Sequence, residues 1–497
     1  MSKRIIIVGA GMAGLSAGCY ARMNGYDCQV FEKHSIPGGL CTAWEKNGYK
    51  FDTSMHMLTA SASGPLHRMW EELGIARNFK FHYHDHAGQI EGMGKTLRFT
   101  TDRKELEEQM LSISPADKKN IHEFTSLIFG PDMMNAASLK TKESRNIFDN
   151  LKMGIAILPL IRPFMKYRKM TIQEFAARFK DPFLRQAVRF FIDGPGWPMP
   201  DFPMVALAGM VKGGITGAGT PLGGSQQVAF HLARFFGDLG GTFHYKSEVA
   251  DLVIDNDNVK GIRLKDGSEH HADLVIWAGD GHNLLSNILG GRYMSDRIQN
   301  MYDNWMPVKP IVHVMMGVNM DLSDEPFAII LEPGEKITIA GREHSWLLVR
   351  HHCFDKSMAP EGKSEVEVWY DTEYDYWADL RKDRAAYKAE KKRIADYTIR
   401  QLDERWPGFA SKVEVVDVPT PATYYRYTSN WKGSPDGWYI TSDNMNQMEP
   451  VRSLPGLKNF YMAGQWTAPF TGTVIAALSG RQVVETICRE EGKKMGA

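Results

Sequence analysis

The amino-acid sequence predicts an α/β protein, with a Rossmann-type dinucleotide-binding domain and an α+β domain interleaved into it. Three observations predict this. A short apolar run at residues 5–8 leads into GAGMAG at residues 9–14 and then into small, helix-compatible residues through Met23. A second apolar run at residues 28–31 ends in Glu32, 21 residues after Gly11. The chain has 497 residues, more than one hydrophobic core usually spans, and glycine-rich segments return far along it.

The first segment reads as strand, tight turn, helix and second strand, at the length a dinucleotide fingerprint requires. Gly9 permits the sharp turn, Gly11 lets backbone approach a pyrophosphate, and Gly14 lets helix and strand pack closely. The helix start, carrying Met12 and Ala13, offers unpaired N–H groups and partial positive charge to phosphates. Glu32, followed by Lys33, is placed to accept hydrogen bonds from ribose hydroxyls. A glycine turn serving packing alone would not need the strand before it, the helix after it and the acid beyond.

After Glu32 comes a second glycine turn at Pro37, Gly38 and Gly39, followed by Leu40, and residues 51–53 read as the return of the chain to the same site. An NAD domain has no use for this extension, so the expected cofactor is FAD. The continuation through PGG resembles the signature of the flavoprotein superfamily that includes amine oxidases and phytoene desaturases.

Composition narrows the remaining classes. The chain is 43% hydrophobic and 24% charged, and 59 basic residues cancel 59 acidic ones, which argues against nucleic acid as a partner. Five cysteines form no CxxC pair and are odd in number, so neither a zinc ribbon nor a disulfide framework is expected, and a reducing compartment fits. Neither a secretory signal nor a membrane span is read from the sequence, and the expected location is cytoplasmic, with peripheral contact at a membrane.

Two later segments complete the expected site. Residues 220–280 read as a helix from 226 to 236 with Ser225 as its N-cap, then a β-meander returning through the apolar run 272–277. Residues 458–487 read as a strand feeding Gly464, a loop, and Gly472 opening a helix that carries Thr473 and Val474 and packs small residues against a neighbour. The positive end of that helix would stabilise charge on a reduced flavin ring. Together with the N-terminal segment, these make the whole chain similar to the phytoene desaturase, carotenoid isomerase and retinol saturase family, on a glutathione reductase-like fold. The resemblance implies that Val249 meets adenine through its backbone and that Ala278 and Gly279 form a turn near the pyrophosphate. Many members carry an acid after the glycine where this chain has Gln465, the position expected to bond the ribityl chain. The implied organisation is a discontinuous FAD-binding domain of residues 1–75, 205–290 and 415–497, with substrate-binding pieces at 76–204 and 291–414.

Candidates for the chemistry are fewer. His56, in FDTSMHM, matches the histidine of a saturase-like pattern and reads either as a proton donor or acceptor beside the flavin or as a hydrogen-bonded cofactor neighbour. Tyr424, Tyr425 and Tyr427 could line the flavin face, with Tyr425 as the catalytic candidate, or pack in the core. The Gly/Pro/aromatic loop 192–204 is expected to border a substrate tunnel. Residues 151–170 combine an apolar centre with Lys152, Arg162, Lys166, Arg168 and Lys169, which suits either insertion at an anionic bilayer or a buried helix with a snorkelling basic end. His82, His84 and His86 read as a solvent-facing sheet edge rather than as metal ligands, and the charged run 377–406 as one solvated amphipathic helix.

The expected activity is FAD-dependent oxidoreduction at C–C or C=C bonds of an apolar isoprenoid or polyene lipid, as desaturase, saturase or isomerase. No second fingerprint provides an NADPH domain, so the electron partner is external. The alternatives are a flavin amine oxidase, although no lysine for the flavin N5 position is identifiable, and a non-catalytic flavin- and lipid-binding protein.

Overall fold

Ile5 and Ile7 point to one side of the strand Arg4–Val8 and Ile6 to the other, and all three are fully buried. A strand apolar on both faces belongs at the centre of a covered parallel sheet. The computed structural model, which describes residues 2–54, 57–469 and 472–496, places it there. The sheet has five strands in the order Phe460–Met462, Leu274–Trp277, Arg4–Val8, Asp27–Glu32, Thr242–Tyr245, all parallel. Its strands come from three distant stretches of sequence.

One face of this sheet is covered by the helices Met12–Met23, Ser225–Asp238 and Thr473–Glu490. The other carries a three-stranded antiparallel sheet, Val249–Asp255, Asn258–Leu264 and Glu269–His271, whose Leu252, Val259 and Ile262 close over Ile6, Val8 and Phe31. Helices Met12–Met23 and Thr473–Glu490 approach so closely that a Cβ on Gly480 would lie 2.3 Å from the Ala13 carbonyl oxygen. The Ser16 hydroxyl donates to the Ala477 carbonyl at 2.7 Å across the same contact.

The second sheet has seven strands in the order Val413–Asp417, Ile311–Val318, Ser364–Asp371, Leu347–His351, Ala328–Leu331, His86–Gly92, Lys95–Thr100. Only Ala328–Leu331 and His86–Gly92 pair in parallel. The boundary expected at residue 415 therefore falls inside an edge strand of this sheet. The face bearing Val312, Val314, Val366, Val368 and Tyr370 packs against the helices Tyr374–Leu380 and Arg384–Arg405. A helical cluster from residues 103–216 forms a further core around Phe124, Phe175 and Leu184.

Several local expectations change. The single helix expected at 377–406 is split, because the Asp383 carboxylate accepts the Ala385 and Ala386 N–H groups and so starts a new helix. Ser225 is not an N-cap: Gly224 holds that position and Ser225 is the first helical residue, bound by Asp52 from another segment. The 82–86 segment is not a solvent-facing edge. His84 and His86 are buried, with His84 stacked on Phe327 at 3.6 Å, because the loop before strand Ala328–Leu331 folds over them. No group of three or more His, Cys, Asp or Glu suited to a metal occurs among the described residues. The buried-helix reading of 151–170 fails for its first part, since helix Ile147–Ile157 buries none of its residues, and holds only at Leu160 and Tyr167 farther on. No helix among the described residues is long and apolar enough to cross a membrane.

Candidate functional site

The carboxyl ends of the parallel strands carry the turns that a dinucleotide site needs. Gly9 leaves strand Arg4–Val8 with φ +98°, a conformation that favours glycine. A Cβ on Gly14 would stand 2.0 Å from the Gly9 carbonyl oxygen, so helix and strand can meet this closely only with glycine there. The PGG loop is fastened onto that turn: the Gly38 N–H donates to the Ala10 carbonyl at 2.8 Å, and Gly11 and Gly38 form a parallel bridge.

Glu32 is engaged within the protein. One of its carboxylate oxygens accepts the Ala10 N–H at 2.7 Å and the other accepts the His34 N–H at 2.7 Å. The acid thereby holds the glycine turn in place, and each oxygen keeps a lone pair for a ligand.

These turns open on a cavity of about 410 Å³ to which both large sheets contribute. Of the eighteen residues expected to contact the cofactor, fifteen line it. Gly9, Gly11, Met12, Ala13 and Glu32 come from the first segment, and Gly38, Gly39 and Leu40 from the PGG loop. Ala278 and Gly279 follow strand Leu274–Trp277, and Gly464, Gln465, Gly472, Thr473 and Val474 come from the C-terminal segment. Three do not line it. Gly14 is spent on helix packing, Lys33 donates from Nζ to the Ser429 hydroxyl at 2.6 Å, and Val249 packs beside the core around Phe31.

The donors presented there suit an anionic dinucleotide. Helices Met12–Met23 and Thr473–Glu490 both begin at a glycine with no side-chain cap, and their first residues line the cavity. Uncapped helix starts leave N–H groups and positive dipole ends for a ligand. The Gln465 Nε2 is buried and has no partner among the described residues. A buried donor left unpaired is costly, and an acceptor on a bound cofactor would satisfy it. No Lys or Arg lines the cavity among the described residues.

The second sheet supplies the apolar wall through Ile311 and Trp369, joined by Trp197 and Met57. Trp197 belongs to the loop expected to border a tunnel. A Cβ on Gly196 would lie 2.6 Å from the Trp369 Cβ, so glycine lets that loop lie flat on the strand and brings the two indoles to 5.8 Å. Sequence reading missed Ile311 and Trp369, although the alternation in SEVEVWYD marks Trp369 as sharing a face with Glu365 and Glu367.

Behind Trp369 lies a row of buried ionisable groups. The His313 ring stacks on Trp369 at 5.1 Å, and its Nδ1 is 2.7 Å from the Tyr424 hydroxyl. Burial drives the His313 pKa down to about 3 and the Glu367 carboxyl up to about 7, so the imidazole is neutral at ordinary pH. His352 Nδ1 lies 2.6 Å from Glu365, and Arg350 Nε lies 3.8 Å from Glu367. Asp280, one residue past the cavity-lining Gly279, accepts the Asn283 and Trp431 N–H groups, and burial raises its carboxyl to about 6. Cys41 lines the cavity too, but burial pushes its thiol up to about 12 and leaves it a poor nucleophile.

Tyr425 does not face the cavity. It is 44% exposed on helix Pro421–Thr428 and packs against Tyr374 at 5.3 Å, while Tyr427 is exposed too. Neighbouring residues on a helix point about 100° apart, so the inward position falls to Tyr424. His56 lies outside the described residues, although Thr53, Ser54, Met57 and Thr59 around it line the cavity.

Residues 12–488 match the model of a family described as flavin containing amine oxidoreductase. The chain is similar to chloroplastic prolycopene isomerase of Daucus carota, with 24% identity covering 98% of this chain and 80% of the relative. It is similar as well to the zeta-carotene-forming phytoene desaturase of Myxococcus xanthus, with 24% identity covering 98% of this chain and 94% of that protein. Among solved structures, a redesigned putrescine oxidase shares the fold with a TM-score of 0.63 and 15% identity, over 98% of this chain and 99% of the other.

Proposed function

The chain belongs to the flavin-containing amine oxidoreductase family and is an FAD-dependent oxidoreductase, and from that premise we propose that it acts on C–C or C=C bonds of an apolar polyene or isoprenoid lipid. The supporting observation is the wall of the cavity drawn from the second sheet: Trp197, Trp369, Ile311 and Met57 offer apolar surface, and the carboxylates of Glu32 and Asp436 are the only charged side chains among the described lining residues. Asp436 already accepts the Gly472 N–H at 3.1 Å. The desaturase and isomerase relatives support the same substrate class. Residues 1–75, 205–290 and 415–497 would hold the cofactor in this reading, apart from the stretch up to 216, which packs in the helical cluster, and the strand ending at Asp417, which belongs to the second sheet, and peripheral contact with a membrane would supply the lipid.

When bound, FAD supplies a hydride acceptor and donor. The uncapped starts of helices Met12–Met23 and Thr473–Glu490 would hold its phosphate and ring ends, and Gln465 would donate from Nε2. The tryptophan wall would exclude water from the reacting carbons. Removing a hydride from one carbon of a C–C bond requires a proton to leave the neighbouring carbon, and His56 is the proposed group to take it.

The test is anaerobic: purified protein is mixed with polyenes or with amines and its flavin absorbance is followed. A substrate-dependent spectral change or product with polyenes supports the reading. Bleaching by amines alone would replace it with amine oxidation, and neither flavin redox change nor product with either would favour a carrier. His56→Ala should keep its flavin and lose turnover.

A further inference from the structure

Single exposed leucines are ordinary on protein surfaces, but contiguous apolar patches are not. Within residues 147–165, Phe148, Leu151, Ile155, Leu158, Ile161 and Met165 are all exposed, Phe148 by 79%. Their intervals of three, four, three, three and four residues lay them along one side of a continuous helical path through Ile147–Ile157, 158–160 and Ile161–Tyr167. The path is anchored from the other side by buried Leu160 and Tyr167. This is the reverse of a soluble amphipathic helix, with the apolar stripe turned to solvent.

The outward face is fixed, not frayed. Asn146 and Asp149 form a reciprocal capping box at 2.8 and 2.9 Å, and Lys140 Nζ ties Asp149 down at 2.7 Å. Lys152, Arg162, Arg168 and Lys169 are exposed on the same path and take part in no ion pair among the described residues. Lys166, by contrast, pairs with Glu123 at 3.2 Å, and so is not free to meet another partner. An apolar stripe with uncompensated cations along it is what an interfacial helix shows toward anionic lipid.

We infer that residues 147–169 form a docking surface that inserts Phe148, Leu151, Ile155, Leu158, Ile161 and Met165 into a bilayer whose anionic headgroups meet Lys152, Arg162, Arg168 and Lys169. The surface is joined to the cavity by a short structural path. Helix Ile147–Ile157 packs on the turn Met133–Ala136, which is capped by Asp132. Asp132 in turn sits against Gly209 and Gly213, where a Cβ would approach it to 2.2 and 2.6 Å, and the next residue, Gly214, lines the cavity. Docking rests on the exposed side chains alone, whereas entry of substrate from the bilayer rests on the lipid reading above.

The experiment is vesicle flotation of the full-length holoprotein without substrate, using phosphatidylcholine with and without phosphatidylserine. Wild type should float with both and more with phosphatidylserine, the increment shrinking in high salt. Lys152→Glu with Arg162→Glu and Arg168→Glu should lose the increment, by about fivefold or more per reversed cation, while Phe148→Ser with Leu151→Ser and Leu158→Ser should cease to float on either vesicle. Flavin content should be unchanged in both, which shows that the variants fold. Wild type that stays in the pellet fraction, or variants that float like it, would overturn the inference. So would sedimentation velocity showing that the serine variant converts a wild-type dimer to monomer, since a second copy would then cover the stripe. Flotation is read independently of turnover, so polyene inactivity in a protein that floats would sink the proposed substrate and leave the docking surface standing.

Discussion

Asp52 holds Ser225 across 173 residues of sequence: one carboxylate oxygen accepts the Ser225 backbone N–H at 2.5 Å and the other accepts its hydroxyl. The same carboxylate takes the Ser54 N–H at 3.1 Å. A Cβ on Gly224 would lie 2.3 Å from Asp52, so glycine before the helix is what admits the acid. The hairpin Ala43–Lys46 and Tyr49–Asp52 is thereby tied to the start of helix Ser225–Asp238, beside the cavity.

Asp52→Asn should therefore destabilise the protein by about 1–3 kcal/mol, because an amide offers one acceptor where two are used and strands a buried donor. Burial raises the Asp52 carboxyl, so the substitution also removes a cost of ionisation, but the stranded donor outweighs it. Denaturant unfolding at neutral pH reads the difference, and a midpoint equal to or above wild type would refute the account.

Gly480→Ala should cost about 1–3 kcal/mol. The added carbon would meet the Ala13 carbonyl oxygen at 2.3 Å and the Ala17 nitrogen at 2.8 Å, both backbone atoms that cannot swing aside. Gly154→Ala meets nothing within 4 Å on its exposed helix and should be neutral or stabilising by up to about 1 kcal/mol. Melting temperatures of the two variants should move in opposite directions or differ clearly, and equal shifts would count against the close helix contact.

Gln465→Leu should weaken FAD binding about five- to tenfold, the worth of one neutral hydrogen bond of about 1 kcal/mol, since its unpaired Nε2 would lose its role. Titration of the apoprotein with FAD measures this. Unchanged affinity would show that the amide points at something other than the cofactor.

Asp280 gives a pH signature. Its folded pKa of about 6 lies above that of an unfolded aspartate, about 4, so the neutral acid is favoured by the fold. The stabilising contribution is complete below about pH 4 and is lost as pH rises through 6. Relative to Asp280→Asn, wild type should lose on the order of 3 kcal/mol across that window. Unfolding midpoints of the pair at acid and neutral pH test it, and parallel curves would exclude Asp280 as the source.

The sequence by itself determined the parallel sheet and the glycine turns that line the cavity. Gly9, Gly14 and Gly38 are demanded by local backbone geometry, and the buried strands Arg4–Val8 and Leu274–Trp277 by unbroken apolar runs, all of which are read from neighbours in the chain. Only the tertiary structure decided the rest. Ser225 reads as a cap until Asp52 arrives from another segment, Tyr425 is separated from Tyr424 by the turn of a helix, and Trp369 joins Trp197 only because Gly196 lets a distant loop lie against its strand. The residues at 147–165 have the same apolar spacing whether they face a core or a lipid. The pattern fixes which side of the helix is apolar, and only packing against the remainder of the fold decides which way that side looks.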